Sequence, residues 1–175
     1  MYKINIKNHL DILSINSLCW GIENDIIAPE FVIEYANEYL NKNSDCDNSK
    51  LIDLLILDDC TKDNVLEIIN NESNKRNAEK EKRIIRYVIL QDIFEKTDDA
   101  EKLFELIESV YADFGYPADM DNFIPYMPAE DEAEISEYTG FERTQHLLCN
   151  FQSFLKKEYI WTNSMGTADA DCRII

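Results

Sequence analysis

Glu142, His146 and Cys149 fall about one helical turn apart, so on a helix they would share one outward face. Carboxylate, imidazole and thiol are zinc ligands, but three residues on one helix leave a coordination sphere open, and no partner segment offers a second half. A Cys149–His146 nucleophile pair lacks the orienting third group that such dyads need. Solvent exposure without metal is therefore the expectation for this trio. A second set, Asp119-Met120-Asp121-Asn122, resembles the opening of a calcium loop, where alternate oxygens surround the ion. It then fails, because Phe123, Ile124, Pro125 and Tyr126 occupy positions that need glycine and further oxygens. Asp119 and Asp121 read instead as caps or first-turn acids of a short helix.

No phosphate-cradling glycine loop, H-E-x-x-H or G-x-S-x-G is present, so nucleotide, zincin and α/β-hydrolase chemistry have no foothold. The expectation is a protein that is not an enzyme and needs no cofactor. The main alternative with chemistry is a metal-dependent hydrolase using Glu142, His146 and acids from the 119–134 stretch.

Charge carries the clearest signal. The chain bears 35 acidic and 17 basic residues, a formal net charge of −18. Between Thr97 and Glu142 fourteen acidic residues face Lys102 alone, so this segment holds −13 of the total. Within it Glu101, Glu105 and Glu108 make a like-charged line whose neighbours repel by roughly 0.2–0.5 kcal/mol per pair on a helix. Asp119, Asp121, Glu130, Asp131, Glu132 and Glu134 continue the acidity. Such a surface repels nucleic acid and anionic lipid and attracts a basic protein. The plain reading of the same acids is a solvated face that keeps the protein soluble. From Lys75 to Arg86 the sign reverses, with Lys75, Arg76, Lys80, Lys82, Arg83 and Arg86 against Glu79 and Glu81. This stretch pairs with acids inside the protein or offers a small anion-binding patch.

The elements that must position these groups are helices. Ser14 is a plausible N-cap before Ile15, Leu18, Cys19, Ile22 and Ile26, although Gly21 weakens the middle. Pro29 suits the first turn of a helix with the stripe Phe31, Val32, Tyr35, Ala36, Tyr39 and Leu40. A polar loop spans Asn41 to Ser49, and Leu51 to Leu57, apolar on nearly every side, is expected in the core as a short helix or a buried strand. Thr61 can cap a helix carrying Val65, Leu66, Ile68 and Ile69. A long helix starts near Asn77 and is apolar almost all round from Ile84 to Phe94. Thr97 is expected to cap the most regular helix, with Ala100, Leu103, Phe104, Ile107, Val110, Tyr111 and Phe114 inward and Gly115 as its stop. Three of the four prolines lie between Tyr116 and Pro128, leaving room for a short helix at most. A last helix runs from about Phe141 to Tyr159, with Leu147, Leu148, Phe151, Phe154 and Leu155 inward.

Spacing of this kind predicts an all-α single domain of antiparallel helical hairpins over residues 1–161, followed by an irregular tail over 162–175. Five widely spaced cysteines without a C-x-x-C pair fit free thiols in a reducing compartment. No run reaches the ~18 apolar residues of a membrane span, and the N-terminus lacks the apolar stretch of a signal peptide. The cytoplasm is the expected location.

The segment FGYPADMDNFIPYMP, from Phe114 to Pro128, and the stretch LCWGIENDIIAPEFVIEYANEYL, from Leu18 to Leu40, resemble the bacterial family catalogued as domain of unknown function 2247. The tail after Trp161 lies outside the resemblance. It implies a bacterial cytoplasmic protein, with relatives among candidate immunity proteins encoded beside polymorphic toxins, and carries over no catalytic residues. The resulting expectation is a non-enzymatic inhibitor that binds a basic toxin domain through Glu101, Glu105, Glu108 and the acidic loop after them. A general helical scaffold or adaptor is the alternative from another class.

Overall fold

Helix caps written into the sequence set most of the architecture. The computed structural model of the chain describes residues 1–43, 48–70, 77–128 and 139–166. Among these residues the secondary structure is entirely helical, apart from one isolated parallel bridge between Tyr2 and Ile27. The described residues gather into two compact units, Met1–Ile89 with the chain from Thr162, and Leu90–Trp161.

In the first unit α1 spans Ile6–His9 and α2 spans Ile15–Glu23. Ser14 caps α2 as expected: its Oγ accepts from the Ser17 amide at 3.1 Å, and its own amide donates to Ser17 Oγ at 2.9 Å. The reciprocal bonds satisfy two amide donors that a helix start would otherwise orphan. Gly21 has a packing role. A Cβ there would lie 2.8 Å from Ile27 Cγ1, so only glycine lets the returning chain approach α2 this closely. That return is held by the Ile26 amide on the Gly21 carbonyl and the Tyr2 amide on the Ile26 carbonyl, at 2.8 and 2.7 Å.

Helix α3, Glu30–Lys42, follows Pro29 and buries Val32, Tyr35 and Ala36. It packs with α1, α2 and α4, while α5 packs with α2 and α4. Helix α4, Ser49–Leu55, resolves the Leu51–Leu57 ambiguity in favour of a helix, capped by Asn48. The expectation that this whole segment is core is corrected. Leu51 and Leu54 are buried, but Ile52, Leu55 and Ile56 are exposed, because a seven-residue helix on the surface offers one face to its neighbours. Helix α5, Lys62–Asn70, starts at Thr61, whose Oγ1 accepts from the Asn64 amide at 3.3 Å. Lys62 donates to the Glu23 carbonyl and Asp25 carboxylate, which ties α5 to the end of α2.

Helix α6, Ala78–Lys96, is capped by Asn77, and every residue from Ile84 to Leu90 is buried. That run includes Arg86, so the basic stretch is not a simple exposed cationic face. Lys75 and Arg76 lie outside the described residues.

The second unit holds α7, Ala100–Asp113, a 3-10 turn, Ala118–Phe123, and α8, Gly140–Gly166, as far as Trp161. The cap of α7 is Asp99, not Thr97: Asp99 Oδ1 accepts from the Lys102 amide at 2.8 Å. A carboxylate in this position bonds an orphan amide and also meets the positive end of the helix dipole. The inward face is the expected one for Leu103, Phe104, Ile107, Val110, Tyr111 and Phe114, all buried, whereas Ala100 in the first turn is only half-buried. At the other end Gly115 adopts φ 78°, its amide bonds the Ala112 carbonyl, and the Tyr116 amide reaches back to the Tyr111 carbonyl. These paired bonds close the helix by a glycine in the left-handed region.

Phe123 packs on Phe151 and Phe154 with ring centroids 5.2 and 5.0 Å apart, and Phe94 meets Phe151 edge-on at 5.7 Å. The 3-10 turn is anchored to α8 by Asn150 Nδ2 on the Asn122 carbonyl, and Arg143 Nη2 bonds the Pro125 carbonyl just beyond it. Helix α8 is longer than its apolar pattern indicates and continues to Gly166, into the segment expected to be irregular. Leu147 and Leu148 on it are only half-buried, whereas Phe151, Phe154 and Leu155 are inside.

Candidate functional site

The outer side of α7 and the turn that follows it bring together several of the acids singled out by charge. Glu101 and Glu105 are exposed and Glu108 is half-buried, in one line along the helix. Glu101 and Glu108 are about 10 Å apart along the axis, at 1.5 Å per residue. Asp119 and Asp121 sit in the first turn of the 3-10 element, the role expected for them. Glu130, Asp131, Glu132 and Glu134 lie outside the described residues.

Asp121 links the turn to α7. Its Oδ1 accepts the Tyr111 hydroxyl proton at 2.6 Å, and this hydrogen bond, with desolvation second, pushes the Tyr111 pKa up to about 12. Tyr111 is the hub of an aromatic cluster. Tyr116 meets it edge-on at 5.2 Å with 83° between the planes, and Tyr126 lies 6.4 Å away at 59°. The inner ring is buried while the outer two are open to solvent, Tyr116 by 63% and Tyr126 by 58%. Desolvation and then the charge of Glu108 raise the Tyr126 pKa, which places that carboxylate in electrostatic reach of the ring. Tyr126 therefore keeps its proton more tightly than a free tyrosine does, in a field set partly by Glu108.

Charge counting alone missed Tyr116 and Tyr126. Two local signals were available. A glycine stop at Gly115 puts the following residue over the last turn of α7, where its side chain meets Tyr111. The spacing Pro125-Tyr126-Met127-Pro128 bars a regular helix, so Tyr126 has to sit on a turn.

Of the groups that suggested catalysis, Glu142 is engaged in a helix cap. Glu142 Oε2 accepts from the Thr139 amide and hydroxyl at 2.8 and 2.9 Å, which caps α8 and holds the carboxyl below its ordinary range. His146 is half-buried with Nε2 3.1 Å from Asn150 Nδ2, and Cys149 is exposed. Among the described residues, no three His, Cys, Asp or Glu side chains are grouped to hold a metal ion. The Cys60 thiol is pushed up by burial and then by Glu30 and Asp59, the opposite of what activates a nucleophile. Cys19, Cys60 and Cys149 are not joined in disulfides. No helix among the described residues is long and apolar enough to cross a membrane.

No curated protein and no solved structure matches this chain. A family described as "Uncharacterized protein conserved in bacteria (DUF2247)" does match, over residues 2–159, a span that contains α1 to α7, the 3-10 turn and most of α8. With that match covering nine-tenths of its length, the chain belongs to the bacterial DUF2247 family.

Proposed function

We propose that this chain is a non-enzymatic binding protein, an immunity protein that neutralises a cognate bacterial toxin by holding a basic toxin domain on its acidic face. The observation that carries the reading is the exposure of Tyr116 and Tyr126 beside Glu108 and Asp121. Tyrosines anchor protein interfaces because they bury a large rigid ring at small entropic cost and keep a polar tip. Surrounding acids steer a cationic partner and set its encounter rate. The partner class is a protein, with nucleic acid and membrane disfavoured by the net charge of −18.

Co-expression with the toxic domain encoded in the adjacent reading frame tests this. Wild type should protect the cells. Reversing Glu101, Glu105 and Glu108 to Lys should slow association with the purified toxin by at least about tenfold at low salt, and less at moderate salt. Failure of the wild type to protect or to bind overturns the proposal.

One observation favours the scaffold or adaptor reading. Ile52, Leu55 and Ile56 form an exposed apolar end of α4 that a helical adaptor could use.

A further inference from the structure

Exposed aromatic rings in a strongly acidic segment have a specific chemical preference. A tyrosine face carries negative electrostatic potential and attracts a cation, an effect that grows as water is excluded. Three such rings meet here at steep angles: Tyr111 buried at the base, Tyr116 and Tyr126 open beside it. Tyr111 is fixed in rotation by its hydroxyl bond to Asp121, so the base of the cluster is pre-organised. Tyr116 is held from the backbone side by the hydrogen bond its amide donates to the Tyr111 carbonyl. Asp121 places a carboxylate at the Tyr111 hydroxyl, and the Glu108 and Asp121 charges are both in electrostatic reach of Tyr126.

We propose that Tyr111, Tyr116 and Tyr126, with Glu108 and Asp121, form the seat for an arginine side chain of the partner protein. The inference rests on the reading of this acidic face as the binding surface and names the group it takes. Arginine fits better than lysine. Its planar guanidinium can stack on a ring while its edge N–H groups bond a carboxylate, whereas an ammonium is a compact, strongly hydrated charge that gives up more water to reach the ring. The two exposed rings then provide the specificity, and the line of Glu101 and Glu105 provides the long-range attraction.

The test uses the full chain and three short capped peptides, Ac-Gly-Arg-Gly-Arg-Gly-NH2 and its lysine and citrulline counterparts, titrated at low salt by amide NMR. The arginine peptide should shift the amides of residues 108–126 saturably and bind about three- to tenfold more tightly than the lysine peptide. The uncharged citrulline peptide should not bind. Tyr126→Leu, at an exposed turn where folding is not at stake, should erase the preference for arginine over lysine. Tyr126→Phe, which keeps the ring, should retain it. Glu101→Lys with Glu105→Lys should weaken both cationic peptides and leave their ratio unchanged.

Equal binding of arginine and lysine peptides, or an unaltered preference in Tyr126→Leu, overturns the seat. Its fate is separable from that of the toxin reading. Arginine selectivity at the tyrosines in a protein that fails to protect cells leaves the seat and removes the toxin, while protection without arginine selectivity does the reverse.

Discussion

Helices α6 and α7 are consecutive in the chain and bury themselves in different ways. From Ile84 to Leu90 every residue of α6 is inside, Arg86 included, whereas α7 hides Leu103, Phe104, Ile107, Val110 and Tyr111 and leaves Glu101 and Glu105 in solvent. A helix without a polar stripe has to be covered all round. A helix with a clean stripe leaves a whole face available for something other than folding. On α7 that free face is filled with like charges that slightly disfavour the isolated helix, and it ends at a cluster of exposed tyrosines.

Substitutions can break this contrast, starting with the core. Phe104→Ala should cost about 3–5 kcal/mol, since it removes a buried ring from the inward side of α7. Ile85 and Leu90 point to sides of α6 about 140° apart, and each changed to Ala should cost about 2–5 kcal/mol. Chemical denaturation measures all three. A loss below about 1 kcal/mol for either α6 position would mean that helix has an open side after all.

Smaller effects sharpen the comparison at the start of α7. Asp99→Ala should destabilise by about 0.5–2 kcal/mol, while Thr97→Ala should be nearly silent, because the Lys102 amide bonds Asp99. Reversal of that order would return the cap to Thr97.

Alkaline titration probes the link between α7 and the turn. The folded pKa of Tyr111, about 12, lies above the unfolded value of about 10. The folded state therefore holds the proton more tightly, and its contribution to stability is fully present below about pH 10 and is lost as pH rises through about 12. In Tyr111→Phe that loss should vanish from the difference between denaturation curves recorded at pH 9 and above pH 11. Least affected should be the Glu101, Glu105 and Glu108 reversal, whose stability should stay within about 0.5 kcal/mol of wild type even as association slows.

Much of this could be read from residue order. Ser14, Thr61 and Asn77 start helices because a side-chain oxygen three residues ahead of an amide is a local geometry. Gly115 stops α7 because its φ of 78° is strained for other residues. The inward stripe of α7 and the apolar circumference of α6 follow from the period of 3.6. The expected cap Thr97 was wrong: the helix starts at Ala100, which puts the Lys102 amide on the Asp99 carboxylate. The tandem of Leu51 to Leu57 misled for a different reason. Its apolar content specifies what can be buried, but the neighbours of α4 decide how much of its circumference is covered, and Ile52, Leu55 and Ile56 were left outside.

The site divides along the same line. Sequence by itself determined the helical class, the acidity of the 97–142 segment and the outward line of Glu101, Glu105 and Glu108, because each depends only on neighbours within a few residues or on summed charge. Tertiary structure alone decided that Asp121 bonds Tyr111 across ten residues and that Tyr116 and Tyr126 stand exposed around a buried Tyr111. Those outcomes depend on where the chain returns after a turn, and a tyrosine has the same chemistry on paper whether the return path covers its ring or leaves it in water.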